Sequence, residues 1–252
     1  MKIQFVGSGS AFNKIDGQSN LIVKSDSGKN LLIDCGTYCW SFMEKLIYKT
    51  TDFDSVYISH LHADHIGGLE EIAFTTYFNP TVERPKLYCN DSLMPELWKA
   101  LEGGLGSIQG KVVTLTEYFD CKPVEASGKF EWEGIEFIPV QTVHVMSGYH
   151  IKHSYGLMIT SEAGIKVFFT SDTQFCPNQI QDFYDQADYI LQDSETSPFK
   201  SGVHAHYDDL KTLSDETKSK MWLYHYQPDT DKEVAVSDGF RGFVNKEDEF
   251  DF

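Results

Sequence analysis

Short apolar runs rich in β-branched and aromatic residues recur along the chain, each cut off by Gly, Asn, Asp or Pro. They read "KIQFVG", "NLIVKS", "KNLLIDCG", "SVYISH", "PKLYC", "KVVTL", "IEFIPVQ", "YGLMIT", "KVFFTSD", "YILQDS" and "MWLYHY". Runs of this length and punctuation predict strands. Helical periodicity appears at "SFMEKLIYK", "GGLEEIAFTTYF", "SLMPELWKALE" and "NQIQDFYDQ". The tight linker "SDSGKN" predicts a hairpin between the second and third strands. Eleven strands are too many for one ordinary sheet, whereas two sheets packed face to face with helices outside would use every element, so the class is α/β. No internal repeat or low-complexity linker divides the chain, and residues 1–252 are expected to form a single domain.

Composition is consistent with that size of core: 41% of the 252 residues are hydrophobic and 14% aromatic. Charge changes the picture more. With 21 basic against 38 acidic side chains and a formal charge of -17, the chain lacks the basic footprint of a protein that grips nucleic acid through its phosphates. No stable nucleic-acid partner is expected. The N-terminus "MKIQFVGSGS" carries neither a secretory signal nor a membrane span, which implies a cytoplasmic setting. Five scattered cysteines, Cys35, Cys39, Cys89, Cys121 and Cys176, lack paired spacing and are expected to be buried reduced thiols.

The chemistry concentrates in "SHLHADH", where His60, His62, Asp64 and His65 follow a predicted strand. Residues two apart in an extended segment point the same way, so His60 and His62 are placed to share one ion. Asp64 and His65 lie beyond the bend and suit a second. Imidazole nitrogens with carboxylate oxygens match zinc first, with manganese or iron as further choices. Two such ions activate a shared water and stabilise charge developing on a phosphoryl or acyl oxygen. Asp64 can also orient the nucleophile and accept its proton.

The H-x-H-x-D-H pattern formed by His60, His62, Asp64 and His65 resembles the hallmark of the metallo-β-lactamase fold superfamily. The resemblance runs from "FVGSGSAF" through "LLIDCG", with Asp34, to "YHYQP". It implies an αββα sandwich with the site at the sheet edges between the two halves. It also implies three further ligands: His144 in "IPVQTVHVMSG", Asp172 in "VFFTSDT" as the residue bridging both metals, and His225 in "MWLYHYQP", each expected at the end of a strand. His62 stands where the flavodiiron branch has Glu, the G-H-T-x-G signature of glyoxalase-type thioesterases is absent, and Asp172 stands where β-lactamases carry Cys. The branch it most resembles is the tRNase Z type of phosphodiesterase.

That branch implies a glutamate and histidine ahead of the last ligand, which here are Glu195 in "QDSETSPF" and a histidine of "GVHAHYDDLKTL". Its histidine opens a helix and protonates the leaving oxygen. Counting from His204 places Leu210 and Leu213 at the small or apolar positions, so His204 is the better match and His206 the reserve; two histidines capping a surface helix is the alternative. A glutamate bonded to the ring would raise its pKa. The basic arm that clamps tRNA is missing. The loop "EGGLGSIQG", Glu102 to Gly110, is the only flexible piece in its place, fit for an entrance loop, a subunit contact or a plain turn. Without an arm the resemblance narrows to small-substrate relatives, among them the phage-type anti-Pycsar enzymes, which open cyclic mononucleotides. It implies a dinuclear phosphodiesterase for 3′,5′-cyclic mononucleotides, homodimeric and acting in a host cytoplasm if phage-encoded. A tRNA 3′-processing endoribonuclease and an acyl hydrolase (lactonase or thioesterase) are the alternatives on the same ligands, and a non-catalytic metal-binding protein would have lost one of them.

Overall fold

The computed structural model describes residues 1–252. The first half of the chain forms strands β1 (Lys2–Gly7), β2 (Asn20–Lys24), β3 (Asn30–Ile33), β4 (Ser55–Ile58) and β5 (Lys86–Asn90), then a small hairpin of β6 (Ser107–Ile108) and β7 (Lys111–Val112), and β8 (Asp120–Val124). The second half forms β9 (Phe130–Trp132), β10 (Ile135–Ser147), β11 (His150–Thr160), β12 (Lys166–Phe169), β13 (Tyr189–Asp193), β14 (Met221–Tyr224), β15 (Gly242–Phe243) and β16 (Glu249–Asp251). One seven-stranded sheet runs β16-β1-β2-β3-β4-β5-β8 and the other β15-β14-β13-β12-β11-β10-β9.

Alternation along the strands explains the sandwich. Leu21 and Val23 of β2, Leu31 and Ile33 of β3, and Val167 and Phe169 of β12 share one core between the sheets. The intervening Ile22 and Leu32 face a second core under the helices Cys39–Met43, Leu69–Tyr77 and Met94–Leu105. On the far side Phe168, Ile190 and Leu223 pack beneath the helix Pro177–Gln186. With both faces of each sheet covered, the strands read as continuous apolar runs rather than alternating ones. The order helix, sheet, sheet, helix is the expected αββα arrangement.

Each sheet is half antiparallel and half parallel. In the first, β3, β4, β5 and β8 are parallel, and in the second β12, β13, β14 and β15 are. Ligand sites in such sheets gather at the carboxyl ends of the parallel strands, and the loops after β3, β4, β12, β13 and β14 carry the chemistry described below.

Four expectations change. "KVVTL" contributes only the two-residue β7, while the edge position falls to β8, whose Pro123 is tolerated because an edge strand leaves one side unpaired. Glu102–Gly110 is not a free loop: its first half finishes the helix Met94–Leu105 and its second enters the β6–β7 hairpin. The helix expected over "SFMEKLIYK" is shorter and starts earlier, at Cys39–Met43. All five cysteines are free, but only Cys35, Cys39 and Cys89 are buried.

Candidate metal centre

The turn after β4 is built by close backbone contact. A Cβ at Gly36 would lie 2.0 Å from the Asp64 carbonyl oxygen, and one at Gly68 would lie 2.7 Å from the Gly36 carbonyl oxygen, so only glycine permits the two loops to meet. Asn20 clamps them, donating from Nδ2 to the Asp64 carbonyl and accepting the Gly36 N–H. His62 precedes the short helix Ala63–Ile66, which carries Asp64 and His65, and the His60 and His65 rings lie 3.9 Å apart between centroids.

Two groups of donors result. The Nδ1 of His62 lies 3.1 Å from the Nε2 of His60 and 3.1 Å from that of His144. Asp64 Oδ2 lies 3.2 Å from His65 Nε2 and 3.7 Å from His225 Nε2. Asp172 stands between the groups, its Oδ2 3.6 Å from His60 Nε2, 3.8 Å from His144 Nε2, and 3.4 Å from both His65 Nε2 and His225 Nε2. All seven metal-competent residues singled out in the sequence therefore meet in one cluster, buried except for the half-buried His62.

The histidines are oriented from behind. His144 Nδ1 donates to the Val203 carbonyl at 2.7 Å, and His65 Nδ1 is 2.7 Å from Asp34 Oδ2. His60 Nδ1 lies 3.1 Å from the Ser59 hydroxyl, which itself donates to Asp34. Outer partners of this kind select which ring nitrogen keeps its lone pair. Asp34, Ser171 and His225 all have positive φ, at 61°, 53° and 67°, backbone strain that gathers at the ends of the strands forming the cluster.

Burial holds His60, His62 and His144 below the usual histidine range, keeping their lone pairs free. Burial also opposes charge on His65, yet Asp172, Asp64 and Asp34 overcome it and hold that ring well above its ordinary value. Asp172 is likewise held ionised against burial by His225 and His65. His65 Nε2, Asp172 Oδ1 and His225 Nε2 are buried with no hydrogen-bond partner. Orphaned atoms converging on common points are costly without a ligand, and this donor set fits divalent metal ions.

His144 departs from expectation. It does not end a strand: β10 continues to Ser147, and His144 occupies a break in register between Val143, opposite His153, and Val145, opposite Lys152. That bulge turns a residue of an antiparallel strand toward the cluster.

The carboxylate and histidine pair expected ahead of the last ligand differs too. His204 faces the cluster, its Nδ1 4.0 Å from Asp172 Oδ2. Its partner is Asp193, not Glu195, with Nδ1 2.8 Å from Asp193 Oδ2. Burial works against charge on His204, but the adjoining Asp193 carboxylate outweighs it and pushes the ring up to about 9. Glu195 instead accepts from Ser197 Oγ and from the Ser201 N–H and Oγ, shaping the loop before His204. The residue that opens the helix Tyr207–Leu210 is His206, which accepts the Asp208 N–H at Nδ1 and donates from Nε2 to the Ser197 carbonyl. Asp193 was detectable in principle, as an aspartate closing an apolar parallel strand just as Asp172 follows one.

A cleft of about 430 Å³ opens over the cluster, walled by Ala11, Phe12, Tyr38, Asp64, Val203 and His204. Phe12 is 89% exposed at its lip. A smaller cavity of about 160 Å³ adjoins His60 and His62 on the other side, with Glu96, Lys152 and His153 on its wall.

The fold and this histidine and aspartate cluster define a metallo-β-lactamase fold protein. The crystal structure of the metallo-beta-lactamase fold protein YhfI from Bacillus subtilis superposes with a TM-score of 0.78 over 99% of both chains at 16% identity. More particularly, the model of the family "Anti-Pycsar protein Apyc1" matches residues 1–250. The Anti-Pycsar protein Apyc1 of Paenibacillus xerothermodurans is 31% identical over 257 residues, covering 100% of this chain and 98% of the relative. That of Bacillus phage vB_BsuM-Goe3 is 30% identical over 250 residues, covering 95% and 94%. The chain belongs to the Apyc1 family.

Proposed function

We propose that the protein is a metal-dependent phosphodiesterase that opens 3′,5′-cyclic mononucleotides and thereby counters cyclic-nucleotide signalling. The observation that carries this is the pairing, at the floor of one cleft, of a two-part metal cluster with a histidine placed to protonate a leaving oxygen. Family membership supports it, as does the charge of -17, which disfavours an extended polyanionic substrate. Residues 1–252 work as a single hydrolase domain.

His60, His62, His144 and Asp172 would hold one ion, and Asp64, His65, Asp172 and His225 a second, most simply zinc. Bound there, two divalent ions would supply electrostatic stabilisation of a phosphoryl oxygen and activation of a water molecule. Asp64 would orient the attacking water and accept its proton. His204 donates from Nε2 to the departing ribose oxygen, held for that task by Asp193 through Nδ1. His206 and Glu195 shape the loop that presents His204. No helix is long and apolar enough to cross a membrane. The phage relative supports action in a bacterial cytoplasm, and family resemblance supports a homodimer.

A substrate panel on zinc- and manganese-loaded protein tests the reading: cyclic mononucleotides, a linear phosphodiester, a pre-tRNA, a lactone and a thioester. Cyclic mononucleotides are turned over with weak salt dependence of kcat/KM, and the tRNA trailer is left intact. Turnover confined to carboxylic esters overturns the proposal in favour of an acyl hydrolase, and efficient trailer cleavage at physiological salt overturns it in favour of tRNA processing.

A further inference from the structure

Asp193 has two oxygens and two imidazoles to serve. Its Oδ2 accepts from His204 Nδ1 at 2.8 Å and from the Thr173 N–H at 2.8 Å. Its Oδ1 is buried with no hydrogen-bond partner and lies 3.4 Å from His225 Nδ1, itself buried and without a partner. The side chain is wholly enclosed, and the His204 and His225 rings stack at 4.4 Å between centroids. We infer that Asp193 is a positioning residue shared by the two histidines: one carboxylate aligns His204 as the proton donor and, through its other oxygen, sets the tautomer of His225 toward the second metal ion.

Chain geometry brings this about. β13 and β14 are parallel neighbours with Asp193 paired to Tyr224, so the aspartate closing β13 lies one residue from the histidine that follows β14. His225 can use Nε2 toward a cation only as the Nδ1–H tautomer or as a ring that loses its Nε2 proton on binding, and in both cases Nδ1–H requires an acceptor. Asp193 Oδ1 is the atom facing it. A separation of 3.4 Å exceeds an ordinary N–H···O bond and closes with a small ring rotation. Binding at the second site and alignment of the donor are thus tied through one side chain.

The inference rests on the proposed role of His204, but its metal arm needs no substrate. Metal-free protein is titrated with Co²⁺ and the absorption bands of each site are followed, with Zn²⁺ affinity measured by competition with a chromophoric chelator. An amide offers one acceptor and confronts the other imidazole with its NH₂ group. Asp193→Asn therefore weakens the second ion roughly 10–100-fold, as for loss of an outer partner of a metal-bound histidine, and also lowers kcat by roughly 10²-fold or more. His204→Ala lowers kcat and leaves both metal affinities at the wild-type value. In the His204→Ala background, Asp193→Asn still weakens the second ion by the same factor. Wild-type Co²⁺ binding in Asp193→Asn, or equal weakening in His204→Ala alone, overturns the shared role. Should Asp193→Asn not fold, ¹⁵N-histidine NMR on the intact zinc-loaded protein decides: protons on both His204 Nδ1 and His225 Nδ1 uphold the inference, and an unprotonated His225 Nδ1 refutes it. Absence of phosphodiester turnover by the wild type would instead sink the functional reading and leave the metal arm standing.

Discussion

Asp34 lies outside the metal cluster and has the most calculable effect on it. Its carboxylate is wholly buried and accepts from the Ser59 N–H at 2.8 Å and Ser59 Oγ at 2.6 Å, and lies 2.7 Å from His65 Nδ1. In Asp34→Ala the Ser59 hydroxyl can still turn to His60 Nδ1, but the Ser59 N–H and His65 Nδ1 are left buried without acceptors. Each orphaned donor costs about 1–3 kcal/mol. The backbone there has φ 61°, and alanine tolerates the left-handed region less well than aspartate by roughly 1 kcal/mol. Together the loss is about 3–7 kcal/mol. For a chain of this length that is a fall in Tm of roughly 6–28 °C. Asp34→Asn keeps the φ tolerance and can accept the Ser59 N–H at its amide oxygen, but its NH₂ group replaces the oxygen that serves both Ser59 Oγ and His65 Nδ1; with the hydroxyl free to turn, the loss is about 1–3 kcal/mol for the His65 donor. In calorimetric unfolding of chelator-treated protein, Tm should be highest for the wild type, intermediate for Asp34→Asn and lowest for Asp34→Ala. A metal-free Asp34→Ala protein that melts at the wild-type temperature would refute the assignment of Asp34 as the support of His65, as would an Asp34→Asn protein no more stable than Asp34→Ala.

Further outcomes follow from the cluster and its donor. Metal analysis should find close to two equivalents of transition metal, with Asp172→Ala disturbing both sites because its Oδ2 is within 3.8 Å of histidines in each group, whereas the double substitution His60→Ala and His62→Ala loses the first; a single equivalent surviving Asp172→Ala would contradict the bridging position. His204→Ala should lower kcat on a cyclic nucleotide by roughly 10²–10⁴ with metal content intact. An aryl phosphodiester, whose leaving group departs without a proton, should lose far less, and equal losses on both substrates would assign the proton donor elsewhere. Asp64→Ala should abolish hydrolysis of cyclic and linear phosphodiesters together, and loss of one alone would show that they do not share a site.

How much of this was legible in the sequence depended on distance along the chain. His60, His62, Asp64 and His65 sit within six positions, so their convergence needs only a strand, a bend and the glycines that let the loops close. The number of apolar runs, with helical patterns between them, was likewise enough for two covered sheets, since successive residues of a strand face opposite sides and in β2, β3 and β12 both sides are apolar. His144 was recognisable as a ligand through family resemblance, but not the bulge that aims it, because a bulge is a property of pairing between β10 and β11 and has no mark in β10 alone. The choice of Asp193 over Glu195 was also out of reach: two residues apart on one segment, both acidic, they differ in that β13 lies beside β14 and delivers only the first to the histidines. Counting apolar positions ranked His204 ahead of His206, and the fold places His204 over the cluster, although it is His206 that opens the helix. Local spacing thus determined which residues can bind together within one turn. Which carboxylate reaches which imidazole across the sheets was decided by strand order and register, and these are set by the packing of the whole chain.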